Sequence, residues 1–187
     1  MDATNFTDVV LAELSAALAH IEPQAAAAFA DALASAKRVF VAGAGRSGLI
    51  AKAFAMRLMH LGVRSFVVGE MVTPNFEPND LLVVCSGSGE TGSLVAIAGQ
   101  AKRIGGKLAL ITIAPDSTIA SLADVCVVIP APSPKARAMD GLVASTQPMG
   151  ALFEQAQGVF LDCTIVALMR RTGADAEAMF KRHANLE

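Results

Sequence analysis

The sequence predicts an α/β fold: a doubly wound parallel sheet of five strands flanked by helices. Five short apolar runs, at 38–42, 65–68, 81–85, 108–113 and 125–129, lack polar alternation and read as strands covered on both faces. The stretches between them at 47–61, 91–104 and 117–123 have helical spacing, so strand and helix alternate as in a parallel sheet. Two turns rich in glycine and hydroxyl groups follow the first and third runs, at the strand ends where such sheets place their ligands.

Before the first strand, Phe6, Val9, Val10, Leu14, Leu18 and Ile21 recur at helical intervals, and Pro23 suits the first turn of a second helix reaching about Lys37. Gly62 and Gly105 are placed to stop the helices at 47–61 and 91–104. The stretch 130–148 is irregular and contains Lys135, Arg137 and Gly141, a length typical of a binding loop. Gln147-Pro148 is expected to open a long apolar helix running toward Arg170. A short helix from Asp175 to Lys181 then delivers the tail Arg182-His183-Ala184-Asn185-Leu186-Glu187. One domain accounts for all 187 residues, with helices over 1–37 and the α/β core, closing helices and tail over 38–187.

Composition narrows the function. A net charge of -2, with neither Trp nor Tyr, offers no basic field and little base stacking, which argues against nucleic acid. No charge-free apolar stretch reaches the length of a bilayer span, and Asp2 and Asp8 occupy the place of a basic leader, so a cytoplasmic protein is expected. Only 17% of residues are charged and the mean hydropathy is +0.51, more apolar surface than a lone monomer usually carries, which predicts an oligomer. Cys85, Cys126 and Cys163 have no metal or redox spacing and read as buried, reduced thiols.

The run Ser86-Gly87-Ser88-Gly89-Glu90-Thr91 has the chemistry of a phosphate cradle. Glycines let the backbone approach an anion, the new helix presents unpaired N–H groups, and Ser86, Ser88 and Thr91 supply hydroxyls. A simple helix cap would need one such side chain, not three. The earlier turn, Gly43-Ala44-Gly45-Arg46-Ser47-Gly48, fits G-x-G-x-x-G, and Glu70 stands where a dinucleotide fold keeps its ribose carboxylate. Arg46 and Ser47 in the variable positions, and a chain too short for a substrate domain, favour a small phosphorylated metabolite instead.

Glu90 either contacts sugar hydroxyls or favours a helix N-terminus. Glu154, near the start of the long helix, has the same two readings, a catalytic carboxylate or a helix-dipole partner. His20 and His60 read as structural, whereas His183 sits in a polar tail that can reach a cleft on its own chain or on a neighbour's.

The segment 39–48, the run 51–62, the Ser86 to Thr91 turn and the closing 182–187 tail together resemble the 6-phospho-3-hexuloisomerases of the sugar isomerase (SIS) domain family. The resemblance implies a flavodoxin-like three-layer sandwich, a homotetramer with active sites near subunit interfaces, and interconversion of D-arabino-hex-3-ulose 6-phosphate with D-fructose 6-phosphate. That reaction belongs to the ribulose monophosphate route of formaldehyde assimilation, and the family uses neither metal nor cofactor. By position, Ser47, Ser86, Ser88 and Thr91 inherit phosphate binding, Glu154 the base, His183 the histidine and Arg46 a basic side chain, with Gly45, Gly87, Gly89 and Glu90 as further substrate contacts. Two other outcomes remain open: another SIS aldose-ketose isomerase, such as one acting on arabinose 5-phosphate, or a non-catalytic sugar-phosphate-binding SIS module.

Overall fold

The computed structural model describes residues 3–134 and 144–186; the side chains of residues 3–5 lie outside that description, as do Lys135, Arg137 and Gly141. Two helices, α1 (Ala3–Ala19) and α2 (Pro23–Ser35), precede the sheet. Strands β1 (Val39–Gly43), β2 (Ser65–Val67), β3 (Leu81–Cys85), β4 (Lys107–Thr112) and β5 (Val125–Val128) follow, with α3 (Gly45–Leu61), α4 (Gly92–Ile104) and α5 (Thr118–Leu122) between them. The chain closes with α6 (Ala151–Thr172) and α7 (Ala176–Phe180). All pairings are parallel and the order is β2-β1-β3-β4-β5, the flavodoxin-like arrangement.

Alternate side chains of each strand enter opposite layers, as the period of two requires. Val39, Val41, Val83, Ile111 and Val127 pack with α2, α3 and α6, which α1 flanks. Phe40, Ala42, Leu82, Val84 and Leu110 pack with α4 and α5. The continuous apolar runs are thereby explained: with helices on both faces, both parities of residue are buried throughout β3 and along most of β1 and β4, while the edge strands β2 and β5 are only partly covered.

Gly62 and Gly105 close α3 and α4 in the left-handed conformation, at φ 95° and 94°. The expected start of the long helix needs correction. Pro148 does not open it; Met149 takes a φ of 58°, Gly150 is the N-cap, and α6 begins at Ala151. A left-handed residue cannot continue into a right-handed helix, so the chain makes a turn, with the Ala151 N–H donating to the Pro148 carbonyl at 3.1 Å. By length and composition α6 is apolar enough to cross a membrane, but half of its most apolar stretch is buried in this fold, where Phe160 meets Phe29 at 5.5 Å between ring centres. The cysteines are unpaired; Cys85 is buried as expected, whereas Cys126 is half-buried and Cys163 is exposed on α6.

Candidate active site

The order β2-β1-β3 reverses direction between β1 and β3, and their register pairs Gly43 with Cys85. The two glycine-rich turns therefore leave the sheet side by side. Glycine is required where α3 closes on β1, because a Cβ at Gly48 would stand 2.5 Å from the Gly43 carbonyl oxygen. The G-x-G-x-x-G pattern here serves close packing of helix on strand, and Glu70 is engaged by Lys52 at 2.6 Å.

Both helices that start at these turns offer unpaired donors. In α3 the first helical bond runs from the Gly48 N–H to the Ala44 carbonyl, and in α4 from the Val95 N–H to the Thr91 carbonyl. The N–H groups ahead of them have no acceptor within the helix. Neither Ala44 nor Thr91 caps its helix with a side chain, so the Thr91 hydroxyl is not taken up by capping. Two positive helix ends thus converge on one place.

That place is a cavity of about 420 Å³. Gly45, Arg46 and Ser47 line it from the first turn, Ser86, Gly87, Ser88 and Thr91 from the second, and Phe153 and Glu154 from α6. Arg46 reaches across to Glu154 at 3.2 Å, with the guanidinium largely exposed and the carboxylate only 19% exposed. The sequence-predicted base, its basic neighbour and the hydroxyls expected to hold phosphate therefore share one space, although Glu154 is more than sixty residues from the second turn.

The second turn is held firmly. The Ser86 hydroxyl accepts from the Gly89 N–H at 3.2 Å, and the Ser88 hydroxyl accepts from the Glu90 N–H at 3.2 Å. The Gly87 carbonyl accepts from the Thr112 hydroxyl and the Ile113 N–H, both at 3.0 Å. Gly87 also lets Phe153 approach, since a Cβ there would lie 3.3 Å from its ring.

Three expected site residues lie elsewhere. Gly89 sits beneath the turn at φ 62°, where a Cβ would collide with Ser117. Glu90 is turned toward α5, where its carboxylate accepts from the Thr118 N–H at 2.6 Å, so it meets a helix N-terminus, though that of α5 and not of α4. His183 docks at the opposite end of α3, stacked on His60 at 5.3 Å and on Phe180 at 5.9 Å. Fifteen residues of helix separate Gly45 from His60, placing the tail about 22 Å from its own cavity. Arg182 anchors it by donating to the His60 carbonyl at 3.2 Å. Burial, reinforced by the charges of His183 and Arg57, lowers the His60 imidazole below its usual pKa.

Sequence reasoning missed Gln157. It follows Glu154 by three residues, on the same face of α6, is fully buried, and donates its amide to the Ser47 carbonyl at 3.2 Å. Its Oε1 is the one buried side-chain polar atom without a partner among the described residues. Only its spacing from Glu154 could have singled it out.

Comparison with known proteins places the chain in a family. The SIS domain model matches residues 32–156. The chain is 46% identical over all 187 residues, the whole of both proteins, to a Bacillus subtilis protein named 3-hexulose-6-phosphate isomerase. A Mycobacterium gastri protein of the same name is 42% identical over 186 residues, covering 100% of this chain and 92% of that one. A Methanococcus jannaschii protein, whose crystal structure was taken to infer a 3-hexulose-6-phosphate isomerase function, superposes with a TM-score of 0.85 at 33% identity, over 98% of this chain and 99% of its own.

Proposed function

This chain belongs to the SIS domain family, and from that premise we propose that it is a 6-phospho-3-hexuloisomerase, interconverting D-arabino-hex-3-ulose 6-phosphate and D-fructose 6-phosphate. One observation carries the mechanism: Glu154 and both hydroxyl-rich turns line a single cavity. The phosphate binds at the N-termini of α3 and α4, held by Ser47, Ser86, Ser88 and Thr91, with Gly45 and Gly87 admitting it to the backbone N–H groups. Each charge-assisted hydrogen bond contributes on the order of 1.5 to 3 kcal/mol, though neighbours do not simply add.

With the phosphate fixed, Glu154 works on the carbons. It removes the C2 proton of the hex-3-ulose; the C–H electron pair becomes a C2–C3 double bond and the carbonyl pair moves onto O3, giving a cis-enediolate. The proton returns to C3, O3 gains a proton, O2 gives one up, and the carbonyl re-forms at C2. Atoms and electrons balance within the substrate, so no oxidant or cofactor is required. Arg46 steadies the developing oxyanion.

His183 cannot serve its own cavity from its place on α3, so in this proposal a neighbouring subunit supplies it to the sugar oxygens. A homotetramer would provide that neighbour. Leu49, Met56 and Met59 on α3, and Val159 and Val166 on α6, are exposed apolar side chains suited to such contacts. We further infer work in the cytoplasm, in the ribulose monophosphate route of formaldehyde assimilation.

A coupled assay that starts from hexulose 6-phosphate and detects fructose 6-phosphate tests the substrate, and Glu154→Gln tests the base. The variant should lose about 10² to 10⁴ in kcat, roughly 3 to 5 kcal/mol of barrier. Near-normal turnover would remove Glu154 from the chemistry, and absence of product from the wild-type enzyme would remove the substrate.

A further inference from the structure

The first helix touches the last part of the site through one carboxylate. Glu13 of α1 gathers four donors from a stretch more than 130 residues away. Its Oε2 accepts from the Ser145 hydroxyl at 2.7 Å and the Gln147 amide at 2.9 Å; its Oε1 accepts from the Thr146 N–H at 2.7 Å and the Thr146 hydroxyl at 2.9 Å. The same stretch is tied forward to α6, where the Gln155 amide donates to the Gln147 side-chain oxygen at 2.5 Å. A carboxylate accepting this many directed bonds fixes its partners' position as well as their proximity.

The residues directly after the clamp line the cavity: Pro148, Met149 and Gly150. Met149 is held at φ 58°, a conformation costly for a side chain of its size, and 76% of its surface is exposed at the mouth. Strained backbone persists only where its surroundings over-determine it. Here the Glu13 bonds fix the chain upstream, while the Ala151 to Pro148 and Glu154 to Gly150 hydrogen bonds fix it downstream. The last of these reaches the backbone of Glu154 itself.

We infer that Glu13 is a positioning residue of the active site, its carboxylate setting where Pro148, Met149 and Gly150 stand at the cavity mouth and how α6 presents Glu154 to the sugar carbons. The inference rests on the isomerase reading above. It divides the cavity into two parts with separate supports. The phosphate end hangs on the turns after β1 and β3, and the carbon end hangs on the segment that α1 holds.

That division gives the test. In Glu13→Ala, KM for hexulose 6-phosphate should rise about tenfold, while the competitive inhibition constant of inorganic phosphate, which touches only the turns, changes less than about twofold. Thr146→Ala, which removes one donor from the far side, should move KM in the same direction by less, and Glu13→Gln, which retains one acceptor oxygen, should fall between wild type and Glu13→Ala. A clamp serving the fold alone would shift KM and phosphate inhibition together with the thermal midpoint, and that pattern would overturn the inference. So would an unchanged KM in an enzyme that inorganic phosphate still inhibits. Failure of inorganic phosphate to compete with the wild-type enzyme would instead sink the phosphate reading of the cavity, and this inference with it.

Discussion

Gln157 shows how a single residue can serve the site against the interest of stability. Its amide must point the NH₂ group at the Ser47 carbonyl, because the reverse orientation would set two acceptors face to face, and so Oε1 is left buried without a donor. An unsatisfied buried acceptor costs about 1 to 3 kcal/mol, more than the about 1 kcal/mol returned by one neutral hydrogen bond. The Ser47 carbonyl also has a helical partner available four residues on, so its hydrogen bonding is satisfied without Gln157, whose bond instead fixes where the Ser47 turn stands. Gln157→Met, similar in volume and without the orphan, should leave the thermal midpoint unchanged or a few degrees higher while weakening inhibition by inorganic phosphate several-fold. A lower midpoint with unaltered phosphate binding would mark Gln157 as an ordinary structural bond.

At the scale of elements, α3 joins the cavity to the closing tail. Its first turn faces the cavity, and its last turn holds the closing tail through Arg182 and the stacking of His60 on His183. A histidine acting at its own cavity would have to cross the length of the helix; one acting on a neighbour's need not move. If the proposed role of His183 holds, removal of residues 183–187 should abolish turnover while phosphate affinity and oligomeric mass, measured by equilibrium binding and light scattering, persist. Activity surviving the truncation would exclude His183 from the reaction. The helix α5 shows the opposite case: Glu90, within the turn after β3, is engaged with the N-terminus of α5, so its nearness in sequence to the lining residues does not place it among them.

For the whole molecule, the ionisable groups that fasten distant segments make stability depend on pH in three windows. Asp80 is pushed up by burial but held lower overall by its hydrogen bonds to the Arg38 guanidinium, and Lys37 lowers Glu77 beside it. Asp124, likewise raised by burial, is held lower overall by Lys102. Glu13, bonded first of all by the Thr146 N–H, falls from 4.5 to about 2. Folded pKa values below the unfolded ones mean that these contributions are complete above about pH 4.5 and are lost as acid reaches the folded values. His60, buried and lowered from 6.5, adds an earlier loss below pH 6.5, because the unfolded chain binds its proton first. Cys85 works at the other extreme: burial raises its thiol from 9.0 to about 12, so stability falls as pH rises above 9. For the fully buried Cys85 thiol that loss has a slope of about 1.4 kcal/mol per pH unit inside its window. Denaturant midpoints should be highest between about pH 6.5 and 9; a profile still rising below pH 6.5 on acidification would contradict these assignments.

What the sequence alone determined was whatever local chemistry encodes. Apolar runs covered on both faces marked the strands, Gly62 and Gly105 marked helix ends, and three hydroxyls over six positions marked a turn that lines the cavity, because backbone sterics and unpaired N–H groups act over a few residues. The start of α6 was not legible in this way: Pro148 suits a first helical turn, and nothing local signals that Met149 will be held left-handed. Tertiary structure alone decided that Glu154 and Arg46 meet over both turns, that Gln157 supports Ser47, that Glu13 fixes the cavity mouth, and that His183 lies at the far end of α3. Those outcomes depend on strand register and on helix packing between segments up to 134 residues apart, which only the closed core brings into contact.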